Sequence, residues 1–135
     1  MSDKVLGLLG LMRAASAIAP GEENAAEAVS QGKARLLLIA QDANEKAKKR
    51  AERYLEGRRA LMIHLPYKNA EIAQAIGIGG CAMLAVTDMG FAKSLLKNLS
   101  EMYPGKYDAE AEEMNRRFEK AERRKKEKPG VKAKK

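Results

Sequence analysis

Apolar residues recur along this chain with two alternating periods. Val5, Leu8, Leu9 and Met12 fall at i, i+3, i+4 and i+7, the spacing of one helix face, with Ser2 placed to cap it. Residues 17–19 read as a short extended piece ahead of Pro20-Gly21. A second helix from about Glu22 to Gln31 would bury Ala25, Ala28 and Val29 and stop at Gly32. Residues 35–40 (RLLLIA) form a continuous apolar run of strand length, as an interior strand covered on both faces requires.

The alternation continues. Asp42 and Asn44 open a helix with the stripe Ala47, Ala51, Tyr54 and Leu55, ended by Gly57. Residues 60–65 (ALMIHL) make the next strand, closed by Pro66, and Asn69 caps a short helix presenting Ile72, Ala73 and Ile76 up to Gly77. Residues 82–87 (AMLAVT) are a third apolar strand. Asp88 then caps a helix with Ala92, Leu95, Leu96 and Leu99 on one face, and Pro104-Gly105 breaks the chain. Strands alternating with amphipathic helices predict an α/β fold, a three-layer α/β/α sandwich around a small mixed sheet. The body, residues 1–103, is long enough to bury a real core. Beyond it lies an extension over 104–135. Its segment 108–128 carries a narrow stripe (Ala111, Met114, Phe118, Ala121), fitting either a docked helix or one that forms on binding RNA. After Pro129-Gly130 disorder is expected.

Charge sharpens this division. The chain has 26 Lys and Arg against 18 Asp and Glu, a net +8 that lies entirely within residues 116–135, leaving residues 1–115 balanced. A neutral body with a basic tail points to a polyanion partner such as nucleic acid, the plainer alternative being a solubilising terminus. The single Cys excludes a disulfide framework and a multi-cysteine zinc site, and suggests a reducing compartment. The first apolar stretch, broken by Gly7 and Gly10 and preceded by Asp3, does not read as a signal peptide. No run approaches the roughly 18 uncharged apolar residues of a membrane span, so no membrane partner is expected.

Candidate chemistry is sparse. His64, the only histidine, lies in an apolar strand, where a satisfied core or edge residue is the default. Cys81 precedes a buried strand and reads as a small packed hydrophobe. Neither these nor the serines assemble a triad or a metal site, so no catalytic residue, metal or cofactor is assigned. Gly77-x-Gly79-Gly80 follows a helix and opens a strand, the reverse of a dinucleotide fingerprint. It fits a tight connection or a loop whose backbone a ligand approaches closely. The basic residues Lys46, Lys48, Lys49, Arg50 and Arg53, with Arg58 and Arg59 just after, are tempered by Glu45, Glu52 and Glu56 and read as a solvated face. Aromatics at 4% of the chain leave too few rings for a base-stacking platform.

Three segments carry a resemblance: LGLMRAASAIAPGEENAAEAVSQGKARLLLIAQDA, then NAEIAQAIG, then CAMLAVTDMGFAKSLL. In order and spacing over about residues 4–99 they resemble the ribosomal protein L-seven-Ae family, most closely its small bacterial members. The resemblance implies a mixed four-stranded sheet between helices and recognition of kink-turn RNA. It also implies an RNA surface of three pieces. These are a helix start with Gly21, Glu22, Glu23, Asn24 and Glu27, a loop with Gln41 and Asp42, and an apolar Gly-rich loop of Ile78, Gly79, Gly80, Cys81 and Ala82. Lys33 and Arg35 are candidate phosphate contacts nearby. A helix N-terminus offers N–H groups and a positive dipole end to phosphate, and side-chain amides and carboxylates pair with guanine edges. Archaeal and eukaryotic relatives place Asn-Glu after Gly-Thr and a Lys one turn later. Here Glu23 and Asn24 exchange amide and acid, and Glu27 replaces the cation.

The expected function is that of a non-catalytic protein recognising structured, kink-turn-like RNA. It would be ribosomal or ribosome-associated, cytoplasmic and monomeric, with ribosomal RNA as partner. The alternative is an adaptor of the same fold that binds protein and owes its nucleic-acid affinity to the tail alone. A small α/β enzyme acting on a nucleotide is supported only by fold class and Gly79-Gly80.

Overall fold

The structure, a computed structural model, describes residues 3–132, with side-chain environments through residue 126. The element order is α1 (Lys4–Ala14), β1 (Ile18–Pro20), α2 (Glu22–Ser30), β2 (Leu36–Ile39), α3 (Glu45–Tyr54), β3 (Leu61–His64), α4 (Asn69–Ile76), β4 (Met83–Val86), α5 (Met89–Met102) and α6 (Asp108–Lys132). The strands form one mixed four-stranded sheet in the order β1-β4-β2-β3. β2 and β3 run parallel, while β4 is antiparallel to both of its neighbours, β1 and β2.

Alternation along the strands divides the core in two. Leu36, Leu38, Leu84 and Val86 face a layer built from α1, α4, α5 and α6, where Val5, Leu9, Met12, Ile72, Leu95 and Leu99 are buried. Leu37, Ile39, Met83 and Ala85 face α2 and α3, against Ala25, Ala28, Val29 and Ala51. Both faces of β2 are therefore covered, which explains its unbroken apolar run. Each fully buried Leu or Ile side chain there contributes about 1.5–3 kcal/mol. The three-layer α/β/α sandwich expected from the sequence is the observed architecture.

Two of the expected caps are placed differently. Asp3 caps α1, its carboxylate accepting from the Val5 and Leu6 N–H groups at 2.7 and 3.3 Å. Ser2 lies outside the described residues. Asn69 does not cap α4. The first turn is closed instead by Glu71, which accepts from the Lys68 N–H at 2.8 Å, and Gly77 ends the helix at φ +75°. Asp88 and Asn44 cap α5 and α3 as expected, through the N–H groups of Phe91 and Ala47. β3 is an edge strand, and His64 is exposed there, which removes the core alternative for it.

Of the two alternatives for the segment 108–128, the docked helix is observed. Met114 is fully buried against the body, and Tyr107 just before α6 donates its hydroxyl to the His64 carbonyl at 2.7 Å. Burial pushes the Tyr107 phenol up to about 12. Lys93 of α5 stands 4.4 Å over the Phe118 ring, and Arg117 donates to the Arg59 carbonyl at 2.7 Å. The helix extends through Pro129-Gly130 to Lys132, so the backbone at 131–132 is helical where disorder is expected from the sequence; residues 133–135 lie outside the described residues.

Since Met114 has no remaining exposure, Met114→Ala should cost about 2–4 kcal/mol in urea-monitored unfolding. A change below about 0.5 kcal/mol would show that α6 does not share the core.

Candidate nucleic-acid interface

Topology decides what can meet at the sheet rims. β1 ends at Pro20 opposite Leu84, and β2 ends at Ile39 opposite Met83. The start of α2, the loop after β2 and the loop before β4 therefore share one rim. Because β3 runs parallel to β2, the segment after His64 opens there too. Gln41 donates its backbone N–H to the Tyr67 carbonyl at 2.8 Å, and Ala40 donates to the Ala82 carbonyl at 2.9 Å.

Asn69 ties these pieces together. Its side-chain oxygen accepts from the Cys81 N–H at 2.5 Å, and its own N–H donates to the Asp42 carboxylate at 2.8 Å. The buried Cys81 thiol in turn donates to the Met83 carbonyl at 3.4 Å. Burial pushes this thiol up, the nearby Gly21 and Met83 backbone opposing it more weakly. Cys81 thus anchors the loop from within, its N–H held by Asn69 and its side chain turned inward.

The two readings of the glycine loop separate residue by residue. Gly77 adopts φ +75°, its N–H and that of Ile78 both closing on the Ala73 carbonyl, so it serves the helix end. Gly79 and Gly80 have no positive φ, and a Cβ at Gly79 would meet nothing within 4 Å. At Gly80 it would reach only ordinary contact with Asn69, at 3.8 Å. Both are exposed, so the chain itself does not require glycine at either position. Ile78 and Ala82, by contrast, pack partly into the core and spend their apolar character there.

At the start of α2, Gly21 stands at φ +87° with no side chain to cap the helix. Glu22 turns away toward α3, accepting from Arg50 at 2.5 and 2.9 Å and from the Tyr54 hydroxyl at 2.5 Å. The Arg50 guanidinium, then Tyr54, hold its carboxyl down at about 2. One of the acids clustered at this helix start is thus already neutralised by a cation. Glu23, Asn24 and Glu27 are exposed. Asn24 donates back to the Pro20 carbonyl at 2.8 Å, and Glu27 accepts from Gln31 at 3.1 Å. Gln41 and Asp42 are also exposed.

Lys33 and Arg35 are not part of this rim. Arg35 precedes β2 and donates its N–H to the Val86 carbonyl at the far end of β4, with Lys33 beside it after α2. Six residue-to-residue steps of extended chain lead from Arg35 to Gln41, about 20 Å at about 3.3 Å each. Proximity in sequence to α2 suggested a shared site, but α2 itself spans the distance between the rims.

Asn69 braces the rim rather than capping α4, although an Asn ahead of an apolar helix reads as a cap in the sequence. The signal that finds it is topological: parallel β2 and β3 bring the segment after β3 beside the loop after β2. Exposed Lys68 also joins the rim by this route. Among the described residues there is no cluster of three or more His, Cys, Asp or Glu that could hold a metal, and no helix long and apolar enough to cross a membrane.

Comparison with known proteins reveals likeness in fold. No family model matches the chain, and no curated protein matches it. A Bacillus halodurans protein of unknown function has a similar structure, with 26% identity and TM-score 0.67, covering 73% of this chain and 99% of that one. A 15.5 kD RNA-binding protein of Giardia lamblia shares the fold at TM-score 0.59 with 16% identity, covering 75% of this chain and 89% of that one.

The Glu22 geometry has a pH signature. Its folded value lies below the ordinary 4.5, so the stability it contributes is complete above about pH 4.5 and is lost as pH falls through about 2. Glu22→Gln should lower the melting temperature by a few degrees at pH 7, a gap that closes as both proteins are taken toward pH 2. A gap that stays constant with pH in circular-dichroism melts would contradict the pairing.

Proposed function

We propose that this protein is a non-catalytic binder of structured RNA whose specific surface is the rim formed by the start of α2, the loop at Gln41-Asp42 and the loop at Gly79-Gly80. The observation that carries the reading is the pair of exposed glycines whose absent side chains the fold does not use. They are tethered through Asn69 and Cys81 beside an uncapped helix start. Bare backbone at such a place lets a sugar-phosphate strand approach to hydrogen-bond distance. The first N–H groups of α2 offer donors and a positive dipole end to a phosphate. The resemblance to the ribosomal protein L-seven-Ae family and the RNA-binding Giardia protein of like fold support the same reading.

The electrostatics favour recognition by backbone groups over recognition by charge at this rim. Glu23, Glu27 and Asp42 are exposed there, and each repels phosphate. Glu22 does not add to them, since Arg50 neutralises it. Attraction over distance comes from the cations of residues 116–135, and the rim selects shape. Asn24 and Glu23 can pair with guanine edges exposed at a sharp bend, which makes a kink-turn the preferred target. A cytoplasmic, monomeric chain acting on ribosomal RNA is the setting that fits this reading.

A gel-shift titration on a G·A-paired kink-turn and on a pair-disrupted control should show tighter binding of the first. Equal affinity for both would favour the adaptor alternative. Gly79→Ala and Gly80→Ala should leave stability unchanged or raise it by about 0.4–1 kcal/mol. They should weaken kink-turn binding about tenfold, the equivalent of one or two lost hydrogen bonds. Unaltered affinity in both variants would remove the loop from the interface.

A further inference from the structure

The opposite rim carries different chemistry. A cleft of about 210 Å³ lies between α6 and the segments that lead into β2 and β3. Its cations are Arg35 and Arg59 from the body and Arg117, Lys120 and Arg124 from α6, and no residue lining it bears a carboxylate. A neighbouring depression of about 220 Å³ shares Arg35 and Arg59 and adds Arg58. Arg117, Lys120 and Arg124 fall at i, i+3 and i+7, one face of α6. Arg117 is fixed in place, donating to Glu113 at 2.6 Å and to the Arg59 carbonyl at 2.7 Å. Glu113 is held low by that contact, with Arg116 adding to it, and is the carboxylate paired with a cleft cation among the described residues. Arg35, Arg58, Arg59, Lys120 and Arg124 are all exposed.

A basic helix docked for stability alone would meet acids on the body. Here its cations are set against further cations, at a cost in self-repulsion that a bound polyanion would remove. The volume is several times the about 30 Å³ share of one water, enough to admit a phosphate group. The docking of α6 through Met114 and Phe118 makes this a fixed array, unlike a cationic tail in free solution.

We propose that this cleft binds the phosphodiester backbone of a second segment of the same RNA, so that the chain holds RNA at both rims. The inference rests on the RNA reading above and adds to it a second, shape-independent contact site. The two rims lie about 20 Å apart along β2, a spacing of about six extended residues. One rim then selects the bent element and the other grips an adjoining helical arm, through charge alone.

The test uses the full chain and a kink-turn RNA with one arm extended, against its pair-disrupted control. The cleft variant is Arg35→Glu with Arg124→Glu. The charge-matched control is Lys49→Glu with Lys97→Glu, two exposed cations near the middle of α3 and α5. The cleft variant should bind both RNAs about tenfold or more weakly and flatten the plot of log affinity against log salt by about 1–2. Its preference for the kink-turn should survive, and hydroxyl-radical footprinting should show one of two protected backbone segments lost. The neutral pair Arg35→Gln with Arg124→Gln should give the same changes in smaller degree, which guards against a misfolded variant. If the cleft and control variants weaken equally with equal slopes, or the footprint holds one segment in every protein, the proposal is overturned. If affinity and slope fall in the cleft variant but the wild-type chain never prefers the kink-turn, the cleft stands and the specific rim fails. A wild-type chain that binds neither RNA overturns both.

Discussion

The position of β4, antiparallel between β1 and β2, decides which loops of this molecule meet at one rim. It forces the end of β1, the end of β2 and the start of β4 onto one rim, and so brings together three segments distant in sequence. Topology alone would leave the loop before β4 loosely placed. The hydrogen bond from the Cys81 N–H to Asn69, backed by the bond from the Asn69 N–H to Asp42, fixes it against the loop after β2. Bare glycine backbone is useful for recognition only when its flanks are held in this way, because a free loop would lose its own entropy on binding.

Charge is distributed in opposition to shape. The rim at the start of α2 is acidic at Glu23, Glu27 and Asp42, and Glu22 beside them is committed to Arg50 and Tyr54. The far rim gathers Arg35, Arg58 and Arg59 with the cations of α6. The chain thus places exposed acids at one rim and an arginine-rich cleft at the other. In the proposed reading such a molecule would approach a polyanion with its cationic end favoured, and the acidic rim would act by discrimination against wrong shapes more than by attraction.

Much of the fold was legible in the sequence because period and length carry it. The run at Leu36, Leu37, Leu38 and Ile39 identified a doubly covered strand, and the stripes of α2, α4 and α5 named their buried residues. What escaped depended on contacts between segments far apart. Asn69 has a cap-forming residue type and position, yet its side chain serves Cys81. One-dimensional spacing sets Lys33 and Arg35 beside the start of α2, because it does not say that α2 carries the chain across the sheet to the other rim. The docking of α6 is not decidable from the sequence, because a stripe of four residues is too narrow to specify burial, and what buries Met114 is a core assembled from segments far away in the chain.

The central claim is that backbone N–H groups at the α2 start and the glycine loop meet RNA. Amide chemical-shift mapping by NMR during titration with a kink-turn RNA examines those groups directly. The account predicts the largest shifts at Glu22, Glu23, Asn24, Gly79, Gly80 and Cys81, with a second set on α6 and Arg35. Shifts confined to α6 and its surroundings, with the rim amides unmoved at saturation, would contradict it.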